Sequence, residues 1–272
     1  VLQCSLRGRI KKDVPRLLPG DRVRVSPLNE REGVVEDVLP RRTELQRPYI
    51  ANVDQVVIVM SLAEPPPSLD LLDRLLVIAY HVGLRPVIVW NKIDLVEPSV
   101  AEVYDAVYRT AGFRTVATSP KEDRGRKDLG AELAGHVTVL AGASGVGKSS
   151  ILNWLLGEER FATGEVSARL GRGRHTTRSV RFVPWDGDGW IADSPGFSVL
   201  DLSGILPEDL PSAYPDMAEL QEHCRFSGCL HRTEPSCAVR EAVERGEFDK
   251  GRYERYLRIL AALEEYEARR YS

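Results

Sequence analysis

Gly142 to Ser149 spell G-x-x-x-x-G-K-[ST], set between the apolar stretch HVTVL and the apolar run ILNWLL. A strand, a glycine-rich turn and a helix N-terminus in that order let successive backbone N–H groups surround phosphate oxygens. In such a loop Lys148 reaches the β- and γ-phosphates and Ser149 binds Mg²⁺, while Gly142, Ser144, Gly145, Val146, Gly147 and Ser150 complete the cradle. The loop alone implies a nucleoside triphosphate, ATP or GTP. Asp193-Ser194-Pro195-Gly196 follows a second strand-like run and would set a carboxylate beside the magnesium and the Gly196 amide beside the γ-phosphate.

The base is read elsewhere. Asn91-Lys92-Ile93-Asp94 ends the run RPVIVW. Asp94 can accept hydrogen bonds from guanine N1–H and the exocyclic amine, donors that adenine lacks. Its oxygens would stay unpaired against adenine, so the site selects GTP. Asn91 braces the loop and the Lys92 stem covers the ring. In ordinary Ras-like GTPases the phosphate loop comes first and N-K-x-D last; here the order is reversed. A circular permutation accounts for this without altering the folded site.

Between the two phosphate-contacting segments lies GRGRHTTR, Gly171 to Arg178. One of Thr176 and Thr177 should complete the magnesium shell, Thr177 being favoured, and should order the loop only while γ-phosphate is present. Phe197 follows Gly196 where many GTPases carry a water-orienting glutamine. His175 is the nearest group able to orient the attacking water or take its proton. The catalytic candidates are therefore His175, Lys148 and Thr177.

Three of the four cysteines fall within fourteen residues, and Cys224, Cys229, His231 and Cys237 form C-x4-C-x-H-x5-C. Three thiolates and an imidazole make a closed tetrahedral zinc site, structural in role. His223 is a competing ligand that would need a strained turn.

These residues need elements to hold them. Residues 1–48 read as short strands broken by turns, fitting a small β-barrel. From Asn52 strands and helices alternate: VDQVVIVMSL, SLDLLDRLLVIAYHVG, RPVIVWNKID, PSVAEVYDAVYRTAG, TVATS, a helix near LGAELAG, then the phosphate loop. This implies a mainly parallel sheet with its ligands at the strand ends. SVRFVPW and GWIADSPG suggest a hairpin across Asp186 to Gly189. After about Leu202 the chain turns helical around the cysteines, ending in a long helix that starts from Asp249 as N-cap. The expected domains are 1–48, 49–202 and 203–272.

Among 272 residues, 43% are hydrophobic and 28% charged, ordinary for a globular chain. No apolar run reaches the length of a membrane span and nothing at the start resembles a signal peptide, so a cytoplasmic monomer is expected. The net charge of −3 argues against a globally basic nucleic-acid binder. The first fifty residues nevertheless hold eleven Lys/Arg against seven Asp/Glu, a local charge of +4. Arg7, Arg9, Lys11 and Arg24 would form an RNA-facing patch.

NKID, GASGVGKSS, GRGRHTT, DSPGF and C-x4-C-x-H-x5-C, in that order, resemble the bacterial ribosome small-subunit-dependent GTPase A family, the RsgA or YjeQ proteins, over essentially the whole chain. The resemblance implies an N-terminal OB-fold, a permuted GTPase core and a C-terminal zinc domain. It also implies late maturation of the small ribosomal subunit and its rRNA, GTP hydrolysis linked to release, and a part for His175 in hydrolysis. Cys4 to Arg9 resembles a strand that follows others in that barrel, whose beginning is expected to be missing. Arg178 replaces a third threonine. Thr118-Ser119-Pro120-Lys121 stands where related GTPases carry S-A-K. Ser119 would lie at the base, but Pro120 has no N–H for the guanine oxygen, so Asp94 carries more of the selection. A GTPase acting on another RNA, and a nucleotide-gated RNA-binding module with negligible catalysis, are the alternatives.

Overall fold

QVVIVMS, buried at every position, forms the strand about which the molecule is built. The structure, a computed structural model, describes residues 1–6, 16–46, 49–157, 180–193, 202 and 204–270. That strand is β6, Gln55–Ser61, flanked in parallel by β7, Arg85–Asn91, and β9, Val137–Ala141. Outside these lie β8, Arg114–Thr118, beyond β7, and β11, Gly189–Asp193, beyond β9; β10, Arg181–Trp185, is the single antiparallel member at one edge. β10 and β11 form the expected hairpin across Asp186–Gly189.

Period-two alternation splits the side chains of β6 between two cores. Val56, Ile58 and Met60 face α1, Leu69–Val82, and α2, Pro98–Thr110. Val57 and Val59 face α3, Arg126–Leu133, and α4, Lys148–Leu156. Helix α1 starts at Ser68, whose hydroxyl accepts from Leu71 N–H, and stops at Gly83 in the left-handed region. It is apolar on more than one side. Leu72, Leu75 and Leu76 pack on the sheet, while Val77 and Ile78 join a second core built from the C-terminal segment.

That segment holds a 3₁₀ turn at Pro207–Ala213, α5 at Pro215–Gln221, α6 at Ala238–Arg245 and α7 at Lys250–Arg270. The sequence reads as helical and irregular across PEDLPSAYPDMAEL; the 3₁₀ turn ends at Ala213, and Pro215, which lacks the N–H that a continuing helix needs, opens α5. Asp249 caps α7 as expected, its carboxylate accepting from Arg252 N–H at 2.7 Å.

At the other end, β1 (Gln3–Leu6), β3 (Glu32–Val38) and β2 (Val23–Pro27) form a three-stranded sheet in that order, with β1 parallel to β3. A short hairpin, β4 (Glu44–Gln46) with β5 (Tyr49–Ala51), joins it to the core. No described helix is long and apolar enough to cross a membrane.

Candidate nucleotide site and candidate metal centre

The nucleotide-site motifs of the described residues gather at one edge of the large sheet, at the C-terminal ends of its parallel strands, where open α/β sheets bind ligands. Asn91 ends β7, the phosphate loop follows β9, Ser119 follows β8, and Asp193 ends β11. Starting the chain at β9 instead of at its actual beginning would make the spatial order β10-β11-β9-β6-β7-β8 read 2-3-1-4-5-6. The permuted motifs thus meet in one sheet although their sequence order is reversed.

Asn91 is the joint between base and phosphate segments. Its Nδ2 donates to the Val146 carbonyl at 2.8 Å, and its Oδ1 accepts from the Thr118 hydroxyl at 3.0 Å. The side chain is 2% exposed, so both bonds are formed away from water. Gly147, at φ 102°, lies so close that a Cβ there would collide with Asn91 Nδ2. Glycine is required both by the left-handed backbone and by this approach. Lys92 adopts φ 64° and sends Nζ to the Gly145 carbonyl at 2.8 Å and to the Glu64 carbonyl. Ser119 Oγ donates to Asp94 Oδ1 at 2.7 Å and accepts from Glu122 N–H at 3.2 Å. The Asp94 carboxylate is thereby held by the loop after β8.

Lys148 opens α4 with Nζ within its own loop, donating to the carbonyls of Gly142 and Ala143 at 2.8 and 2.7 Å. Burial lowers its pKa below that of an ordinary lysine. Ser149 and Ser150 occupy the same first turn, and Ser144 and Gly145 lie in the loop. A nucleotide at this edge would thus meet glycine-rich backbone, two lysines, Lys92 and Lys148, and the Asp94 carboxylate held by Ser119. His175, Thr176, Thr177 and Gly196 lie outside the described residues, as do Arg7, Arg9 and Lys11. Asp193 is described in its backbone only. Arg24 is exposed on β2, 3.8 Å from Asp37.

The four metal-ligand candidates come together. The ligand atoms of Cys224, Cys229, His231 and Cys237 lie within 4.8 Å of one another. Cys224 Sγ is 4.0 Å from Cys237 Sγ, and His231 Nδ1 is 3.6 and 3.4 Å from those two sulfurs. A tetrahedral zinc with ordinary Zn–S and Zn–N bonds needs edges of about 3.8 Å between sulfurs and about 3.6 Å from sulfur to nitrogen. The three edges among Cys224, His231 and Cys237 fit such an ion, with Nδ1 as the ligand atom, and Cys229 Sγ lies within 4.8 Å of each of them. Burial lowers the His231 pKa, favouring the neutral imidazole, and pushes the Cys229 thiol up to about 12. Binding must therefore displace protons. His223 is outside the cluster.

The residues that hold this loop were not singled out in the sequence. Glu234 accepts backbone N–H bonds from Leu230, Arg232 and Thr233 at 2.8, 2.7 and 2.9 Å. Tyr253 and Tyr256 of α7 donate their hydroxyls to the carbonyls of His231 and Leu230 at 2.7 and 2.8 Å. The only sequence signal was an i,i+3 tyrosine pair on a helix and an acid between two ligands. Thr118 and Glu64, partners of Asn91 and Lys92, gave none.

Sheet order, motif placement and the Asn91 bridge define a circularly permuted P-loop GTPase. The family described as RsgA GTPase matches residues 38–203. The Small ribosomal subunit biogenesis GTPase RsgA of Moorella thermoacetica is 49% identical over 261 residues, 96% of this chain and 90% of that protein. The crystal structure of YjeQ from Thermotoga maritima has a TM-score of 0.82 at 35% identity, covering 96% of this chain and 90% of its own. That of YloQ, a circularly permuted GTPase, also has a TM-score of 0.82, at 37% identity, covering 97% and 87%. The chain belongs to the RsgA GTPase family.

Proposed function

We propose that this GTPase binds the small ribosomal subunit and acts in its late maturation, with hydrolysis linked to release. The observation that carries this reading is similarity along 96% of the chain to a protein named Small ribosomal subunit biogenesis GTPase RsgA. That activity would locate the chain in the cytoplasm, where it would work as a monomer.

In this reading Asp94, held by Ser119, accepts from guanine N1–H and its amine, Asn91 keeps the base and phosphate segments in register, and the Lys92 stem lies over the ring. Lys148, with the amides of Gly142 to Ser150, neutralises the phosphates. Ser149, one of Thr176 and Thr177, and Asp193 would hold a Mg²⁺ that offsets charge on the β- and γ-oxygens. His175 orients the attacking water or takes its proton. The Gly196 amide senses the γ-phosphate.

Cys224, Cys229, His231 and Cys237 hold one structural zinc, supported by the tetrahedral edge lengths of the cluster. The N-terminal strands belong to an OB-fold whose Arg7, Arg9, Lys11 and Arg24 meet rRNA. Support comes from the local positive charge and the three-stranded sheet.

The test is GTP turnover with purified small and large subunits supplied separately. Stimulation by small subunits alone is expected. Equal turnover with either subunit, or with none, would refute the ribosomal assignment.

A further inference from the structure

A charged array lies buried where the C-terminal helices meet the GTPase core. Arg252 of α7 and Asp73 of α1 are each 1% exposed. Arg252 Nη1 is 3.3 Å from Asp73 Oδ1, while its Nε and Nη2 bond Asp216 of α5 at 3.1 and 3.0 Å. Arg255 Nε donates to the second oxygen of Asp73. The Arg252 guanidinium also lies 5.2 Å from the ring of Tyr108, 5.4 Å from that of Phe113 and 4.9 Å from that of Tyr214. Two of these rings belong to the core and one to the C-terminal segment.

The array continues toward the nucleotide. Tyr108 on α2 donates its hydroxyl to Asp73 Oδ1 at 2.9 Å, and its ring lies 5.7 Å from that of Trp90. Trp90 is fully buried against α1 and α2 and immediately precedes Asn91 on β7. Because successive strand residues face opposite ways, Trp90 pointing to those helices sends Asn91 to the phosphate-loop side, where it meets Val146. A contiguous chain of contacts therefore runs from Arg252 through Asp73, Tyr108 and Trp90 to the strand end that carries the base-reading motif.

We propose that Arg252 is a positioning residue for nucleotide binding, which fixes Asn91 through Asp73, Tyr108 and Trp90 and so couples the seating of the C-terminal domain to nucleotide residence. The proposal rests on the assignment of Asn91 and Asp94 to the guanine site. It makes the base end of the pocket, and not only the phosphate end, responsive to whatever engages the C-terminal domain. A desolvated guanidinium between two carboxylates has few alternative arrangements, because any shift strands a charge without partners. The array therefore transmits displacement instead of absorbing it.

The full chain supplies its own control. Arg258 of α7 pairs with Asp70 of α1 across the same junction at 2.8 Å, but both side chains are more than half exposed. Dissociation of a fluorescent GDP is measured by stopped flow for the unsubstituted protein and for Arg252→Lys, Tyr108→Phe and Arg258→Ala, with thermal melting and bound metal recorded for each. Tyr108→Phe removes only a hydroxyl, so it serves if Arg252→Lys folds poorly.

Dissociation about fivefold faster is expected in Arg252→Lys and Tyr108→Phe, with metal content unchanged, and no change beyond about twofold in Arg258→Ala. The double variant Arg252→Lys/Tyr108→Phe should be no faster than the faster single one. Unchanged dissociation in a folded Tyr108→Phe overturns the proposal, as does equal acceleration in Arg258→Ala. Asp94→Asn checks the base assignment independently. Its amide offers a donor to the C2 carbonyl of xanthine, so a switch from guanosine to xanthosine diphosphate upholds that assignment. If no switch occurs, the assignment falls and the proposal with it.

Discussion

Asn91 Nδ2 donates to the carbonyl of Val146 at 2.8 Å, joining the Asn91–Asp94 segment to the glycine-rich loop after β9. The two residues are 55 positions apart, and the bond is buried. Removing the amide by Asn91→Ala strands the Val146 carbonyl and the Thr118 hydroxyl. Leaving buried partners unsatisfied costs about 2 kcal/mol, which is about thirtyfold in affinity if the loss falls on the nucleotide-bound state. Titration with fluorescent GDP should show that weakening in a protein that still melts cooperatively. An unchanged dissociation constant would mean that the bridge does not shape the pocket.

Ser119 acts one step further out. Its hydroxyl bonds Asp94 Oδ1 at 2.7 Å, the carboxylate proposed to distinguish guanine from adenine. Ser119→Ala removes the orienting bond but leaves the charge. A loss of about 1 kcal/mol, roughly fivefold in GDP affinity, is expected. Preference over ADP should persist because Asp94 still offers both oxygens. Calorimetric titration with the two diphosphates reads both quantities, and collapse of the preference would contradict this division of labour.

A metal held by Cys224, Cys229, His231 and Cys237, as proposed, would anchor its own loop and the adjoining helices. Cys229 and Cys237 are 2% exposed and belong to the C-terminal core, and His231 is fully buried with its ring 6.2 Å from that of Tyr256. Metal analysis of purified protein should give one zinc per chain. A strong chelator should reduce helical circular dichroism as the C-terminal segment loosens, because ligand binding and folding share one free energy. His231→Ala should lose zinc and helicity together while the GTPase core retains its phosphate loop. Removal of the metal without loss of helicity would show that the clamp of Glu234, Tyr253 and Tyr256 suffices by itself.

The legible parts of the molecule were those encoded locally. GASGVGKSS lies wholly within one strand–loop–helix unit, and a strand such as Gln55–Ser61 announces itself by a continuous apolar run. The hairpin of Glu44–Gln46 with Tyr49–Ala51 carries no such signal, since three residues are too few to show a period. Asp73 escaped notice for a different reason. In SLDLLDRLL it resembles the exposed Asp70 one turn earlier, and it is buried as a partner of Tyr108 and of Arg252 and Arg255, 179 and 182 residues away. The sequence assigns Lys92 to cover the base, but its bond to the Glu64 carbonyl depends on a loop between β6 and α1 that no motif marks.

The stabilisation that Asp21 contributes depends on pH. Its carboxylate bonds Arg41 Nε and Nη2 at 2.7 and 2.9 Å and accepts Leu18 N–H at 2.7 Å. Arg41 in turn reaches the Arg16 carbonyl at 2.6 Å and Glu44 at 2.7 Å. These bonds tie the turn before β2 to the segment that enters β4. Burial by itself would raise the Asp21 pKa, but the Arg41 hydrogen bonds, the Leu18 amide and the Arg41 charge outweigh it and lower the value below 3.8. A carboxyl whose pKa is lower in the folded state stabilises the fold at pH above its unfolded value, and that stability is lost as pH falls through the folded value. Asp21→Asn keeps the shape and removes the charge, which should cost about 2 kcal/mol at neutral pH. Urea unfolding from pH 7 downward should show the gap between the two proteins narrowing once pH drops below 3.8. A gap that stays constant through that range would assign the effect to packing of the turn and not to the Arg41 ion pair.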